Sequence, residues 1–357
     1  MALFSYRAIA RRWMSKMAAV LGLFGLLTLS AAPALVPVVD AAPGSRIGWQ
    51  GGSWYLHGAN LPWLTWACDF GCNANGGVSS AASISTLSGK FASAQSAGMH
   101  AIRWWVFEGN PWQVTTDAAG APNGINPAVY ADFDAALKLA QQYDLYVDFV
   151  LFSAPSALPV GWLNDATQQQ ALANALGPLF AHYRGNPRVL SWEVFNEPDF
   201  DVWNGKVSQA SMAGTVKTIA ASVHANSTAM VTVGMGFADG LPMVVGTGLD
   251  YYQAHWYDYM SSGTYCMRCN DYAFYQARFG LDEPLVIGEF YAGTNVDGYQ
   301  RYQDFYNKGY AGAWTWSLSP EKTRDHMAID FAAATRFASQ HADLGPRATT
   351  TTRRRRR

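Results

Sequence analysis

Eight short β-type runs alternate with longer, mostly helical stretches between Trp54 and Gln340, and that rhythm narrows the folds open to the chain more than any other feature. The runs begin near Trp54, Ala101, Leu145, Val189, Met230, Tyr252, Leu285 and Gly312. Each is apolar and too short for a helix. The intervening helix candidates include residues 83–97, closed by Gly98, and residues 127–142, opened by Asn126 as cap with Pro127 at the first helical position. Residues 167–183, 208–224 and 297–308 have the same amphipathic character. Strand and helix alternating eight times within roughly 300 residues predicts a single (β/α)₈ barrel, whose functional groups sit at the C-terminal ends of its strands. The interval between Met230 and Tyr252 is short for a full helix, which makes the fifth repeat the least regular.

Both ends of the 357-residue chain stand apart from this pattern. Arg7, Arg11, Arg12 and Lys16 precede an apolar run from Met17 to Leu29 and then small residues, the layout of a secretory signal peptide over residues 1–42. Cleavage could follow Ala34, Ala41 or Ala42. Arg11-Arg12 resembles a twin-arginine signal, though general secretory export is the simpler reading. The expectation is a secreted, extracellular protein with no stable membrane insertion. Residues 342–357 end in a basic low-complexity run and read as a disordered tail. Without the leader and the six arginines from Arg347 onward, the domain over residues 46–341 has a formal charge near −10, which excludes nucleic acid as an expected partner. A monomer is expected.

The four cysteines fall as Cys68-x-x-x-Cys72 and Cys266-x-x-Cys269. Zinc ligation and three disulfide connectivities are all open to that spacing; for an exported protein, two local bridges are the favoured reading.

Two strand ends carry the chemistry. Ser191-Trp192-Glu193-Val194-Phe195-Asn196-Glu197-Pro198 closes a β-type run on an Asn-Glu pair stopped by proline, and Leu285-Val286-Ile287-Gly288-Glu289-Phe290 delivers a second glutamate in the same way. One such glutamate is commonly a solvated rim residue. Two, delivered by two strands to one barrel mouth, are the equipment for hydrolysing a glycosidic bond. Glu193 shares the two-residue alternation of Phe195 and Glu197 and reads as a buried structural carboxylate in need of a partner.

On these motifs the chain resembles the clan A retaining glycoside hydrolases, closest to family 5, over nearly all of the barrel domain. The resemblance implies that Glu197 is the acid/base and Glu289 the nucleophile. It further implies that Arg103 holds the nucleophile ionised, that Asn196 binds the sugar 2-hydroxyl, that His255 lines the sugar site and that Tyr257 hydrogen-bonds Glu289. Trp316 would be the aromatic platform under the sugar. Alternation agrees with these assignments: Arg103 shares a face with Ala101 and Trp105, and His255 shares one with Gln253 and Tyr257. Many family 5 cellulases carry a histidine just after the third strand, where this chain reads Phe149-Val150-Leu151-Phe152-Ser153-Ala154. That departure favours β-mannan or glucomannan over cellulose.

The expected activity is endo-acting double displacement on a β-linked glycan, with no metal and no organic cofactor. Trp63, Trp66, Trp104, Trp105, Trp112, Trp162, Trp203, Trp256 and Trp316 fall near strand ends or in the loops after them, where flat rings could stack on pyranose faces. An exo-β-glycosidase or transglycosylase could use the same residues. A non-hydrolytic glycan-binding protein on a retired barrel is the alternative from another class, and it would be expected to have lost one of the two glutamates.

Overall fold

The computed structural model describes residues 46–72, 77–107, 113–319 and 327–346. The proposed signal peptide, Trp112 and the arginines of the tail lie outside them. Eight parallel strands close into a barrel in sequence order: β1 (Leu56–Leu61), β2 (Ala101–Phe107), β3 (Tyr146–Phe152), β4 (Val189–Asn196), β5 (Met230–Met235), β6 (Tyr252–His255), β7 (Leu285–Tyr291) and β8 (Gly312–Trp316). β8 completes the ring on β1, with Gly312 opposite Leu56 and Thr315 opposite Ala59.

The principal covering helices are α1 (Ala81–Ser96), α2 (Val129–Gln142), α3 (Ala166–His182), α4 (Gln209–Asn226), α5 (Tyr272–Phe279), α6 (Gly298–Asn307) and α7 (Phe331–Gln340). Local chemistry explains where they start: Ser80, Asp165, Ser208, Asp271, Asp297 and Asp330 each accept a backbone N–H from the first turn of the helix they precede. Between β5 and β6 a short 3₁₀ segment, Ala238–Met243, stands where the other repeats have an α-helix. That is the repeat whose length was too short in the sequence. The first strand starts at Leu56, because Trp54 belongs to a hairpin pairing Ile47–Trp49 with Gly52–Trp54.

A continuous apolar layer fills the space between barrel and helices, with Phe91, Trp104, Phe133, Phe149, Trp192 and Phe337 among its buried residues. A second cluster, including Ile47, Leu56, Tyr146, Tyr251 and Trp314, plugs the end away from the active-site mouth. The packed chain continues past residue 341. Leu344 is buried, Asp343 pairs with Arg46 at 2.5 Å, and Tyr146 donates to the Pro346 carbonyl. These contacts recruit residues that composition alone had assigned to the tail.

The two local disulfides, Cys68–Cys72 and Cys266–Cys269, are both formed. The first staples the loop after β1. In that loop Asp69 accepts the backbone N–H groups of Leu64 and Thr65 and the indole N–H of Trp104. Among the described residues, no helix is long and apolar enough to cross a membrane.

Candidate active site

The C-terminal ends of the strands bring together residues that are far apart in sequence. Asn196 ends β4, and Glu197 follows it in a left-handed backbone conformation, φ 48° and ψ 47°, just before Pro198 opens a short helix. A non-glycine residue held there is strained, and such strain persists only where the surroundings fix it. Here the Glu197 N–H donates to the Gly234 carbonyl at 2.6 Å, and Pro198 fixes the next step of the chain.

Glu289, near the end of β7, accepts from Arg103 Nη1 at 2.7 Å through Oε1 and from the Tyr257 hydroxyl at 2.8 Å through Oε2. Burial, then Glu289, push the Tyr257 hydroxyl well above its ordinary range, so it stays a donor. Glu197 Oε1 stands 2.9 Å from His255 Nδ1. An oxygen of Glu197, an oxygen of Glu289 and a ring nitrogen of His255 all lie within 4.8 Å of one another.

Arg103 organises the floor of this site. It is fully buried, yet its charge is secured: desolvation works against the guanidinium, while Glu193, Glu289 and Asp148 more than offset it. Besides Glu289, it donates to Asn196 Oδ1 at 2.7 Å and Asn60 Oδ1 at 3.1 Å, and it meets both Glu193 oxygens at 2.7 and 2.5 Å. Its guanidinium carbon sits 4.3 Å from the ring centre of Trp105, which meets Trp316 edge to face at 5.5 Å. Gly234 makes room for this crowding, since a Cβ there would stand 2.6 Å from Glu193 Oε1 and 2.7 Å from Arg103 Nη2.

The electrostatics separate the two glutamates' surroundings. Glu197 keeps 30% of its side-chain surface, but the poor solvation of the crowded cleft raises its carboxyl to about 7; Arg103 opposes this and Glu193 adds to it. His255 is fully buried, and that burial lowers it to about 4, so it is a neutral imidazole beside Glu197 and adds no charge that would hold the carboxylate form. Glu197, His255 and Glu289 also offer the donor types of a cation site. Arg103 already donates to Glu289, however, and a metal ion placed there would face its guanidinium.

All seven residues singled out from the sequence, Arg103, Asn196, Glu197, His255, Tyr257, Glu289 and Trp316, therefore lie in or against one constellation. Sequence reasoning missed Asn60. Its place opposite Arg103 in the β1–β2 register is a pairing that alternation alone does not reveal. It also gave no role to Asp148, which lies in the barrel beneath Glu193. Strict alternation on β4 fails as well. Glu193 and Asn196 are an odd number of residues apart, yet both meet Arg103, because the strand register shifts between them. Phe195 instead packs on Phe152. Of the tryptophans considered for sugar stacking, Trp104, Trp162 and Trp256 are buried in the apolar layer, whereas Trp66 is 52% exposed.

No protein-family model matches the chain. A mannan endo-1,4-beta-mannosidase of Mytilus edulis is 26% identical over 326 residues, covering 77% of this chain and 86% of that one. One of Cryptopygus antarcticus is 25% identical over 345 residues, covering 83% and 88%. The chain resembles the clan A, family 5 glycoside hydrolases of the mannanase type. The fold agrees with that family: the β-mannanase structure from Mytilus edulis superposes with a TM-score of 0.67 at 23% identity, covering 85% of this chain and 97% of that one. The β-1,4-mannanase of Aplysia kurodai gives 0.66 at 20% identity, covering 84% and 96%.

Proposed function

We propose that the protein is a secreted, retaining endo-β-1,4-mannanase acting on mannan or glucomannan by double displacement, with Glu197 as acid/base and Glu289 as nucleophile. The approach of the two carboxyl groups carries this reading. Retaining enzymes hold them about 5–5.5 Å apart, because the nucleophile must touch the anomeric carbon, whereas inverting enzymes leave about 6.5–9.5 Å for a water. One oxygen of each group lies within 4.8 Å of the other, an approach that supports the shorter, retaining separation. Sequence relatives named mannan endo-1,4-beta-mannosidase supply the substrate class. Clustered local disulfides and the leader-like first 42 residues fit export.

A glycosidic oxygen leaves poorly unless it is protonated. Glu197, raised to about 7, holds a proton at neutral pH and gives it to that oxygen as the C–O bond breaks. Glu289, whose oxygens both act as acceptors, forms the new bond to the anomeric carbon. Glu197, now a carboxylate, takes a proton from water; the water oxygen attacks the anomeric carbon and Glu289 is released. One water is consumed per bond cleaved. With Oδ1 held by Arg103, Asn196 offers its amide N–H groups to the sugar 2-hydroxyl. Trp316 provides the apolar face against which that sugar lies.

The test is incubation of the exported protein with mannan, glucomannan, cellulose, xylan and β-1,3-glucan, followed by product sizing and an anomeric assignment of the first product. Oligosaccharides of mixed length from mannan, with retained configuration, are expected. Monosaccharide release alone would indicate exo action. Preference for unbranched β-1,4-glucan, or an inverted product, would overturn the reading.

A further inference from the structure

Beneath the two glutamates of the cleft lies a second carboxyl pair that never meets the sugar. Asp148 on β3 and Glu193 on β4 are both fully buried, and both carboxyl groups reach the same Gln253 amide nitrogen. Arg103 grips both oxygens of Glu193 in the fork geometry of a guanidinium–carboxylate pair. Gln253 Nε2 donates to Glu193 Oε2 at 2.9 Å and lies 3.4 Å from Asp148 Oδ2. The Ser191 hydroxyl, itself 2.7 Å from the Tyr251 hydroxyl, donates to Asp148 Oδ1 at 2.7 Å. The charged or titratable groups facing the pair are thus Arg103, Tyr251, His255 and, across the guanidinium, Glu289.

Three ionised carboxylates around one buried cation would leave uncompensated charge in a medium that solvates it poorly. The bidentate grip identifies Glu193 as the carboxylate, so the proton resides on Asp148. Burial, then Glu193, push the Asp148 carboxyl well up; for Glu193 burial acts the same way, but Arg103 outweighs it and the group is held low.

We propose that Asp148, as a neutral acid, and Glu193, as a carboxylate, form a fixed one-proton pair that positions Arg103 and balances its charge throughout the reaction. The proposal rests on the double-displacement reading above. When Glu289 bonds to the sugar, it becomes an ester and loses its charge, and Glu193 is then the counter-charge that remains on the guanidinium. Without it, the full field of Arg103 would fall on Glu197 and weaken its hold on the proton; Glu193 already acts to raise that carboxyl.

The test compares Asp148→Asn with Glu193→Gln. Asp148→Asn stays neutral, so the alkaline limb of kcat/KM on mannan stays in place. Glu193→Gln removes the counter-charge, and that limb moves down by on the order of one pH unit. In the wild-type-minus-Asp148→Asn infrared difference spectrum, one buried carboxylic acid C=O band stands out, the bands of Glu197 and Asp199 being common to both proteins and cancelling. That readout needs no turnover, so it holds even if mannan proves not to be the substrate, and it decides the matter if Glu193→Gln does not fold. A limb displaced in Asp148→Asn, a limb unmoved in Glu193→Gln, or a difference spectrum with no carboxylic acid band lost in Asp148→Asn would each overturn the proposal.

Discussion

An oxygen of Glu197 and one of Glu289 approach within 4.8 Å across the barrel mouth, although they end two strands that are not neighbours in the sheet. That closeness fixes the consequences of removing either. Glu289→Ala is expected to abolish hydrolysis of every substrate, by on the order of 10⁴-fold or more, since a nucleophile works as a unit with its partners. Glu197→Ala is expected to spare the first step for substrates whose leaving group needs no proton, and added azide should restore turnover by replacing the activated water. Near-normal activity in Glu289→Ala would refute the roles assigned here.

Acid strength at Glu197 sets an upper pH limit. With its carboxyl raised to about 7, kcat/KM should fall as pH rises through that value, because the proton donor is lost.

Stability follows with its own sign. A carboxyl raised on folding contributes fully below its ordinary value and loses that contribution as pH rises through the folded value: from 4.5 to about 7 for Glu197 and from 3.8 to about 8 for Asp199. Glu197→Gln should therefore flatten the decline of the melting midpoint between pH 4.5 and 7. On the acid side, buried His57 is lowered to about 3 and packs against Tyr302 and Phe337, its two ring nitrogens without a hydrogen-bond partner among the described residues. Its contribution is present above 6.5 and drains away as pH falls. His57→Phe is expected to lessen the acid sensitivity of the midpoint; an unchanged acid slope would contradict this.

Gly234→Ala probes the floor of the site. The added methyl would stand 2.6 Å from Glu193 Oε1 and 2.7 Å from Arg103 Nη2, so the guanidinium must shift. Overpacking of this kind costs about 1–3 kcal/mol. Moving the group that orients Glu289 and Asn196 should lower kcat by on the order of 10²-fold. Denaturant melts and steady-state rates on one preparation check both effects.

The Cys68–Cys72 bridge spans a sequence separation of only 4. The loop-entropy relation assigns a ring that small about 2 kcal/mol. Asp69 ties the same loop through two backbone amides and Trp104, independently of the sulfurs. Replacing both cysteines by serine should thus cost about 2 kcal/mol or less in chemical denaturation. A collapse of the fold would show that the bridge, and not Asp69, holds the loop.

Much of the fold was legible because strand and helix periods are properties of consecutive residues. The runs near Ala101, Val189 and Leu285 became β2, β4 and β7, whereas the helix read as opening at Pro127 under an Asn126 cap starts at Val129, after Ala128 and with no side-chain cap. The short interval after Met230 announced the repeat that carries a 3₁₀ segment. Asn196-Glu197-Pro198 and Gly288-Glu289-Phe290 pointed to the strand ends where the two glutamates stand. What the sequence by itself determined was therefore the order of elements and the positions of the carboxylates along them. Only the closed barrel decided that Arg103 meets Asn60, Glu193, Asn196 and Glu289 at once, and that Asp148 lies against Glu193. Those contacts join five different strands, and they depend on how each strand is staggered against the next. A register shift between Glu193 and Asn196 turns both inward despite their odd spacing, and no local pattern encodes it. Exposure was decided in the same way, since Trp66 faces solvent and Trp104 lies in the core only because of which layer covers each.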